Sequence, residues 1–311
     1  MMSLDLIAVH KSFGQNRVID NLNLSIPEGE VFGFLGPNGA GKTTTMRMIM
    51  DIIKPDQGSV TWSGKEVRLE TTRTFGYLPE ERGLYPKMNV HDQMRFFARL
   101  RGLSSSVAEK RILYWSNRFQ LEDLLKKRTN ELSKGNQQKV QFIIAILHQP
   151  KLLILDEPFS GLDPVNVELL KEAFRDLAAE KRTILFSSHR MEHIEELCQS
   201  LCIIKAGQVL AHGSVENIKK LSGRQMVHLK YKGSLDFLKA FPIKPEKPFI
   251  RNNKSEDGSS HTLNDIEFEL PQGVDPQVIL RGALEQGQVQ HFEIGYPSLN
   301  ETFIRLVGGD I

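Results

Sequence analysis

No stretch of this chain constrains its fold more than Gly36-Pro37-Asn38-Gly39-Ala40-Gly41-Lys42-Thr43-Thr44. It follows the apolar run Val31-Phe32-Gly33-Phe34-Leu35 and opens the apolar-periodic segment Met46, Met48, Ile49, Ile52 and Ile53. The order therefore reads strand, tight loop, helix. A glycine-rich loop in that context turns successive backbone N–H groups inward, and the helix N-terminus adds partial positive charge, so a polyphosphate settles on the main chain itself. Lys42 would then sit on the β- and γ-phosphates and the Thr43 hydroxyl on Mg²⁺. At average glycine usage this spacing arises by chance on the order of 1% of the time in a chain this long.

Further chemistry-bearing residues fall at strand ends. Leu152-Leu153-Ile154-Leu155 reads as a strand buried on both faces. It ends in Asp156-Glu157, placing two carboxylates at the C-terminal edge of a parallel sheet, where such folds bind ligands. Successive strand residues point oppositely, so the two acids are expected to divide the work, one holding Mg²⁺ and the other facing the attacking water. Thr183 to Ser187 reads as another buried strand, and His189 just past it lies at the same sheet edge as Glu157, within reach of a γ-phosphate. Phe13, on the turn Ser12-Phe13-Gly14, either offers its π-face to an adenine or tucks into a small β layer. Leu132 to Lys139 opens a helix over Val140–His148. Ser133 is first of all its N-cap, with the hydroxyl and free N–H groups of that helix end forming a second anion site. Asp163, in the turn Ser160-Gly161-Leu162-Asp163-Pro164, stands at the cap position of a helix over Val165–Glu180.

Around these residues the chain organises in two parts. Residues 4–35 alternate in short runs that read as an antiparallel strand layer, and Ser59 to Val67 as a hairpin through Ser63-Gly64-Lys65. Residues 90–145 shift to helix formers, a helical insertion. Cys202–Lys205 and Gln208–Ala211 read as a hairpin through Ala206-Gly207, and a helix over Val215–Leu221 closes a first domain at 1–222. From 223 to 311 the pattern becomes a small α+β unit. Alternating runs at Met226–Tyr231 and Leu263–Leu270 flank a short helix at Leu235–Phe241 and a polar loop at Asn252–His261. A helix at Asp275–Gln286, a strand at Val289–Ile294 and a last helix at Asn300–Leu306 complete it. No catalytic constellation is visible there, and the unit reads as regulatory or docking.

A length of 311 residues fits about two domains, and Lys+Arg 40 against Asp+Glu 38 gives a net charge of +2, which argues against a nucleic-acid-coating protein. The longest apolar run, Phe142 to Leu147, is far short of a membrane span, so the chain reads as soluble and cytosolic. Cys198 and Cys202 lack the further ligands of a structural zinc site and read as two buried thiols in a reducing compartment.

With these pieces placed, roughly the first 220 residues resemble the ATP-binding cassette (ABC) transporter family. Gly36 to Thr43 looks like its Walker A motif, Leu132 to Gln138 like the signature, Leu152 to Glu157 like Walker B with its catalytic glutamate, and Ser160 to Asp163 like the D-loop. His189 looks like the switch histidine and Phe13 like the aromatic A-loop, and Glu80 falls where a Q-loop glutamine is usual. The signature departs at Lys134 and Asn136 but keeps Ser133 and Gly135, the residues whose hydroxyl and N–H would meet a γ-phosphate. The resemblance implies an α/β fold with a P-loop NTPase core, an antiparallel β layer and a helical insertion, followed by a small α+β domain. It implies an ATPase that binds ATP on Phe13, Gly36, Pro37, Asn38, Gly39, Ala40, Gly41, Lys42, Thr43 and Thr44, with Ser133 and Gly135 completing the site of a partner. Mg²⁺ would be held by Thr43, Asp156 and Glu80, and Glu157, His189 and Lys42 would carry the chemistry. Partners would be a second nucleotide-binding subunit, identical or not, and an integral-membrane permease at the cytoplasmic face, with no nucleic acid. The segments Glu80–Tyr85, Ser133–Lys139 and Pro297–Phe303 look most like bacterial export subunits of sodium-efflux and drug-export types. A soluble ABC-type regulator of translation or DNA repair is the alternative, but its relatives carry two cassettes or long coiled coils, which this chain does not show. Glu157 speaks against a module that senses nucleotide without hydrolysing it.

Overall fold

The computed structural model describes residues 3–81, 83–243, 245–251 and 263–308. Two compact units divide at Met1–Val215 and Glu216–Ile311.

In the first unit β1 (Ser3–Phe13) and β2 (Asn16–Pro27) form an antiparallel hairpin. β4 (Gln57–Trp62) adds to β1, and β5 (Lys65–Glu66) turns back on β4 through Ser63 and Gly64, both left-handed. Leu4, Leu6, Leu22, Leu24 and Ile26 alternate inward, giving this layer one apolar face. β3 (Val31–Leu35) is buried at all its positions and lies inside a six-stranded sheet ordered β10-β9-β3-β8-β7-β6. Its neighbours β8 (Thr183–Ser187) and β9 (Ser200–Lys205) are parallel to it, as are β7 (Leu152–Leu155) to β8 and β6 (Phe75–Leu78) to β7. Only β10 (Gln208–Ser214) runs antiparallel. Continuous apolar strands are what a sheet covered on both faces requires. Each fully buried aliphatic or aromatic side chain contributes about 1.5–3 kcal/mol.

α1 (Lys42–Ile49) is shorter than its apolar pattern suggests. Asp51 is left-handed (φ +57°), and the N–H groups of Ile52 and Ile53 turn back to the Arg47 carbonyl. That closes the helix end, so Ile52 and Ile53 lie past it. After the one-turn α2 (Leu69–Thr72), the insertion consists of α3 (Val90–Leu100), α4 (Ser105–Arg118) and α5 (Lys134–Ile146). α5 begins six residues before the expected Val140, because the Ser133 hydroxyl accepts the Asn136 N–H at 3.3 Å and starts the helix there. α6 (Pro164–Ala179) and α7 (Met191–Leu197) follow, and α8 (Val215–Lys220) begins at the division. Cys198 and Cys202 are free and buried, and burial pushes the Cys202 thiol up to about 12.

The second unit is an antiparallel sheet ordered β12-β13-β11-β14, made of β11 (Met226–Gly233), β12 (Pro245–Arg251), β13 (Leu263–Glu269) and β14 (Gly287–Gly295). Val227, Leu229, Tyr231, Ile266 and Phe268 face a core closed by Phe237, Leu238 and by Ile279 and Ala283 of α9 (Pro276–Gln286). α10 (Leu299–Gly308) ends the described chain. The polar loop expected at Asn252–His261 lies outside the described residues.

Candidate functional site

The loop between β3 and α1 is glycine-rich for two separate reasons. A Cβ on Gly36 would stand 2.4 Å from the Ile204 carbonyl, and one on Gly41 (φ +104°) 2.4 Å from Ile19 Cδ1. Gly39 has open space, but its φ of +78° needs glycine's freedom. Lys42 folds its ammonium back over the loop, donating to the Gly36 carbonyl at 2.7 Å and the Pro37 carbonyl at 3.1 Å. Burial holds its pKa below the usual lysine value, opposed by Glu157, Asp156 and Glu80.

The carboxylates are arranged by backbone geometry. Asp156 is buried with both oxygens committed, Oδ2 accepting from the Thr43 hydroxyl at 2.6 Å and Oδ1 from the Ser187 hydroxyl at 2.6 Å. The Ser187 oxygen in turn accepts the Glu157 N–H at 3.0 Å. Glu157 is left-handed, with φ +52°. Such a conformation is costly for a residue with a Cβ and persists where its surroundings over-determine it. Here the surroundings are Ser187 and Gln138 of α5, whose Nε2 donates to the Pro158 carbonyl at 2.9 Å and to the Glu157 carbonyl at 3.4 Å.

β7 ends at Leu155, so the two acids lie beyond the strand, and the left-handed turn, not strand alternation, sends them to different tasks. Asp156 turns to Thr43 and Ser187, while Glu157 Oε2 meets His189 Nδ1 at 2.8 Å. The Glu157 side chain is 15% exposed and His189 71%, so the ring reaches into open space from a sheltered carboxylate. Burial raises the Glu157 pKa, opposed by His189 and Lys42 and reinforced by Asp156.

Asn38, Gly39, Gly41, Lys42, Thr43, Thr44, Glu80, Asp156 and Glu157 thus line one cleft of about 400 Å³, with Asn16 and Val18 of β2 on its rim. Main-chain N–H groups and an ammonium suit a polyphosphate, and the hydroxyl and carboxylate oxygens of Thr43, Asp156 and Glu80 suit a hard cation such as Mg²⁺. Other expected residues stand elsewhere. Phe13, 50% exposed, lies at the end of β1, in the hairpin that supplies Asn16 and Val18, with Lys11 Nζ 5.5 Å from its ring centre. Ser133 and Gly135, at the start of α5, do not line the cleft. Gly135 sits instead near Gly161, whose carbonyl would be 3.3 Å from an added Cβ. Asp163 caps α6, accepting the Asn166 N–H at 3.0 Å.

Sequence reading missed Ser187, Gln138, Asn16 and Val18. Ser187 carried a signal, a hydroxyl at the last position of an otherwise apolar strand whose register with β7 pairs Leu155 with Phe186 and so sets Asp156 level with it. The other three carry no local sign, since distant elements deliver them.

Residues 19–160 match the model of the ABC transporter family. Residues 213–307 match that of the C-terminal domain of DrrA1-3-like ATP-binding proteins. The uncharacterized ABC transporter ATP-binding protein YhaQ of Bacillus subtilis (strain 168) is 44% identical over 308 residues, 99% of each chain. This chain belongs to the ABC transporter ATP-binding family. Nod factor export ATP-binding protein I of Bradyrhizobium diazoefficiens is 33% identical, covering 100% of this chain and 98% of that one. A solved ATP-binding subunit of an ABC transporter superposes with a TM-score of 0.67 at 32% identity, over 71% of this chain and 93% of its own. The expected P-loop NTPase fold is therefore the fold found, and the ABC subunit is an ATP-binding ATPase.

Proposed function

We propose that this ABC subunit powers export of a substrate through a separate membrane permease, hydrolysing ATP at a seam between paired subunits. The observation that carries the reading is the cleft itself, where the sheltered carboxylate of Glu157, turned to His189, faces Lys42, Thr43 and Asp156. Residues 36–44 cradle the triphosphate, Lys42 neutralises its β- and γ-charges, and Phe13 stacks on the adenine. Thr43, Asp156 and Glu80 would hold Mg²⁺, which supplies charge neutralisation at the phosphates. Glu157 polarises the attacking water and His189 orients it and the γ-phosphate. Ser133 and Gly135 stand away from their own cleft, which supports their completing the site of a second subunit related by a two-fold axis.

Export is supported by the printed functions of relatives, among them Nod factor export and, in Bacillus subtilis, linearmycin resistance. The reading as a soluble regulator of translation or DNA repair finds no support among those names. Among the described residues no helix is long and apolar enough to cross a membrane, and in this scheme the subunit meets the permease from the cytoplasmic face. In the insertion, Met88, Asp92, Arg95, Phe96, Arg99 and Leu100 line a cleft of about 550 Å³ beside half-exposed Tyr85, a candidate seat for the permease. Val90, the first residue of α3, is fully buried and adds nothing to that surface. Residues 1–222 form the working cassette in this scheme, and 223–311 an accessory domain.

Affinity purification of the tagged chain from detergent-solubilised membranes tests the scheme. Co-recovery of a polytopic membrane protein is expected. Recovery with ribosomes or DNA alone overturns it.

A further inference from the structure

The second unit turns its apolar residues to one face of the sheet, and the other face concentrates groups that nothing in the ATPase reaction uses. Along β11 that face presents His228 and Lys230, along β13 Asp265 and Glu267, and along β14 His291 and Glu293. His228 stands directly opposite Glu293, and His291 is two positions before Glu293 on the same face. One nitrogen from each imidazole and one Glu293 oxygen lie within 4.8 Å of one another, and the two rings are 5.0 Å apart. Asp265 holds the His228 ring at Nε2, 2.6 Å away. His228, Asp265, Glu267 and Glu293 border a hollow of about 370 Å³ walled by Met226 and Tyr296.

We infer that this face is a binding site for a borderline divalent transition metal, ligated by His228, His291 and Glu293, with Asp265 as the outer carboxylate that fixes the His228 ring. Two imidazoles and a carboxylate select zinc-like ions over the hard Mg²⁺ that the nucleotide cleft favours. A carboxylate behind a metal-bound histidine sets its tautomer and raises its basicity. Acidic neighbours suit a cation, and the hollow leaves room for water or a further ligand in an open position. His228 pairs with Asp265, and His291 Nε2 meets Glu293 Oε2 at 3.1 Å, so the three ligand atoms are already held close together for an ion to join. The ion would bridge β11 to the edge strand β14, so its arrival stabilises the accessory domain.

The test uses the full chain, stripped with EDTA and dialysed, then titrated with Zn²⁺ alone against a chromogenic chelator. One tight equivalent is expected, undisturbed by excess Mg²⁺ and accompanied by a rise in the melting temperature. Both effects should vanish in the His228→Gln/His291→Gln double variant, while Asp265→Asn weakens binding by about 10–100-fold. Co²⁺ should give a visible band in the wild type and none in the double variant. These side chains face solvent, so the variants keep the fold, and unchanged circular dichroism and ATPase activity verify it. Zn²⁺ bound equally by wild type and double variant, or displaced by Mg²⁺, overturns the proposal.

Discussion

Ser187 shows how much one hydroxyl can organise. It donates to Asp156 and accepts from the Glu157 backbone, coupling the residue that faces Thr43 to the one that faces His189. Ser187→Ala leaves a buried carboxylate oxygen and an N–H unpaired, so unfolding free energy should fall by about 1–3 kcal/mol in a denaturant titration, with a loss of ATPase rate larger than the loss of ATP affinity. Glu157→Gln should keep ATP affinity while slowing hydrolysis by about 10²–10⁴-fold, and wild-type turnover in that variant would remove Glu157 from its role. The pH profile has a definite sign. Burial raises the Glu157 pKa, so the base is protonated and activity lost at a higher pH than for an open glutamate. His189 opposes that rise, so the acidic limb of the residual rate of His189→Gln should move further up in pH. A limb that moves down contradicts the pairing.

At the scale of the elements, short contacts override periodicity. The apolar pattern carries α1 past Ile49, yet a left-handed Asp51 ends it. The pattern of α5 begins at Val140, yet Ser133 starts it at Lys134. In both cases capping bonds decide the boundary, and these depend on backbone angles that no period encodes. Asp163 allows the cap to be separated from any role at the subunit seam. Asp163→Ala should lower the melting temperature by about 2–4 °C, while Asp163→Asn, which can still accept the Asn166 N–H, should leave it unchanged. An equal drop in both variants would show that the helix does not rely on this cap.

For the whole molecule, half-buried His148 and buried His193 tie stability to pH. Burial lowers His148 from 6.5 to about 4, with Arg101 and Arg111 adding to it and its bond to the Phe75 carbonyl opposing. His193 is likewise lowered to about 4, first by burial and then by Arg190 and Lys171. Between those values the unfolded chain binds protons the folded one does not, so stability is full above about pH 6.5 and drains as pH falls toward 4. Unfolding free energies from urea titrations at pH 7 and pH 5 should differ by on the order of 1–3 kcal/mol, and His148→Gln should reduce the difference. A pH-independent unfolding free energy would refute it. Pairing belongs to this scale too: Glu157→Gln with ATP should elute from a sizing column as a dimer, and a monomer at saturating ATP would exclude the shared seam. The sequence alone determined the phosphate loop, the buried parallel strands, the paired acids after β7 and the α+β character of the end of the chain, because those rest on spacing and on hydrophobic runs that act locally. Only the tertiary structure decided that Ser187 and Gln138 hold the acids apart, that Val90 is core, and that two histidines and a glutamate from β11 and β14 converge. Those contacts join residues far apart in the chain, and pairing register rather than local pattern brings them together.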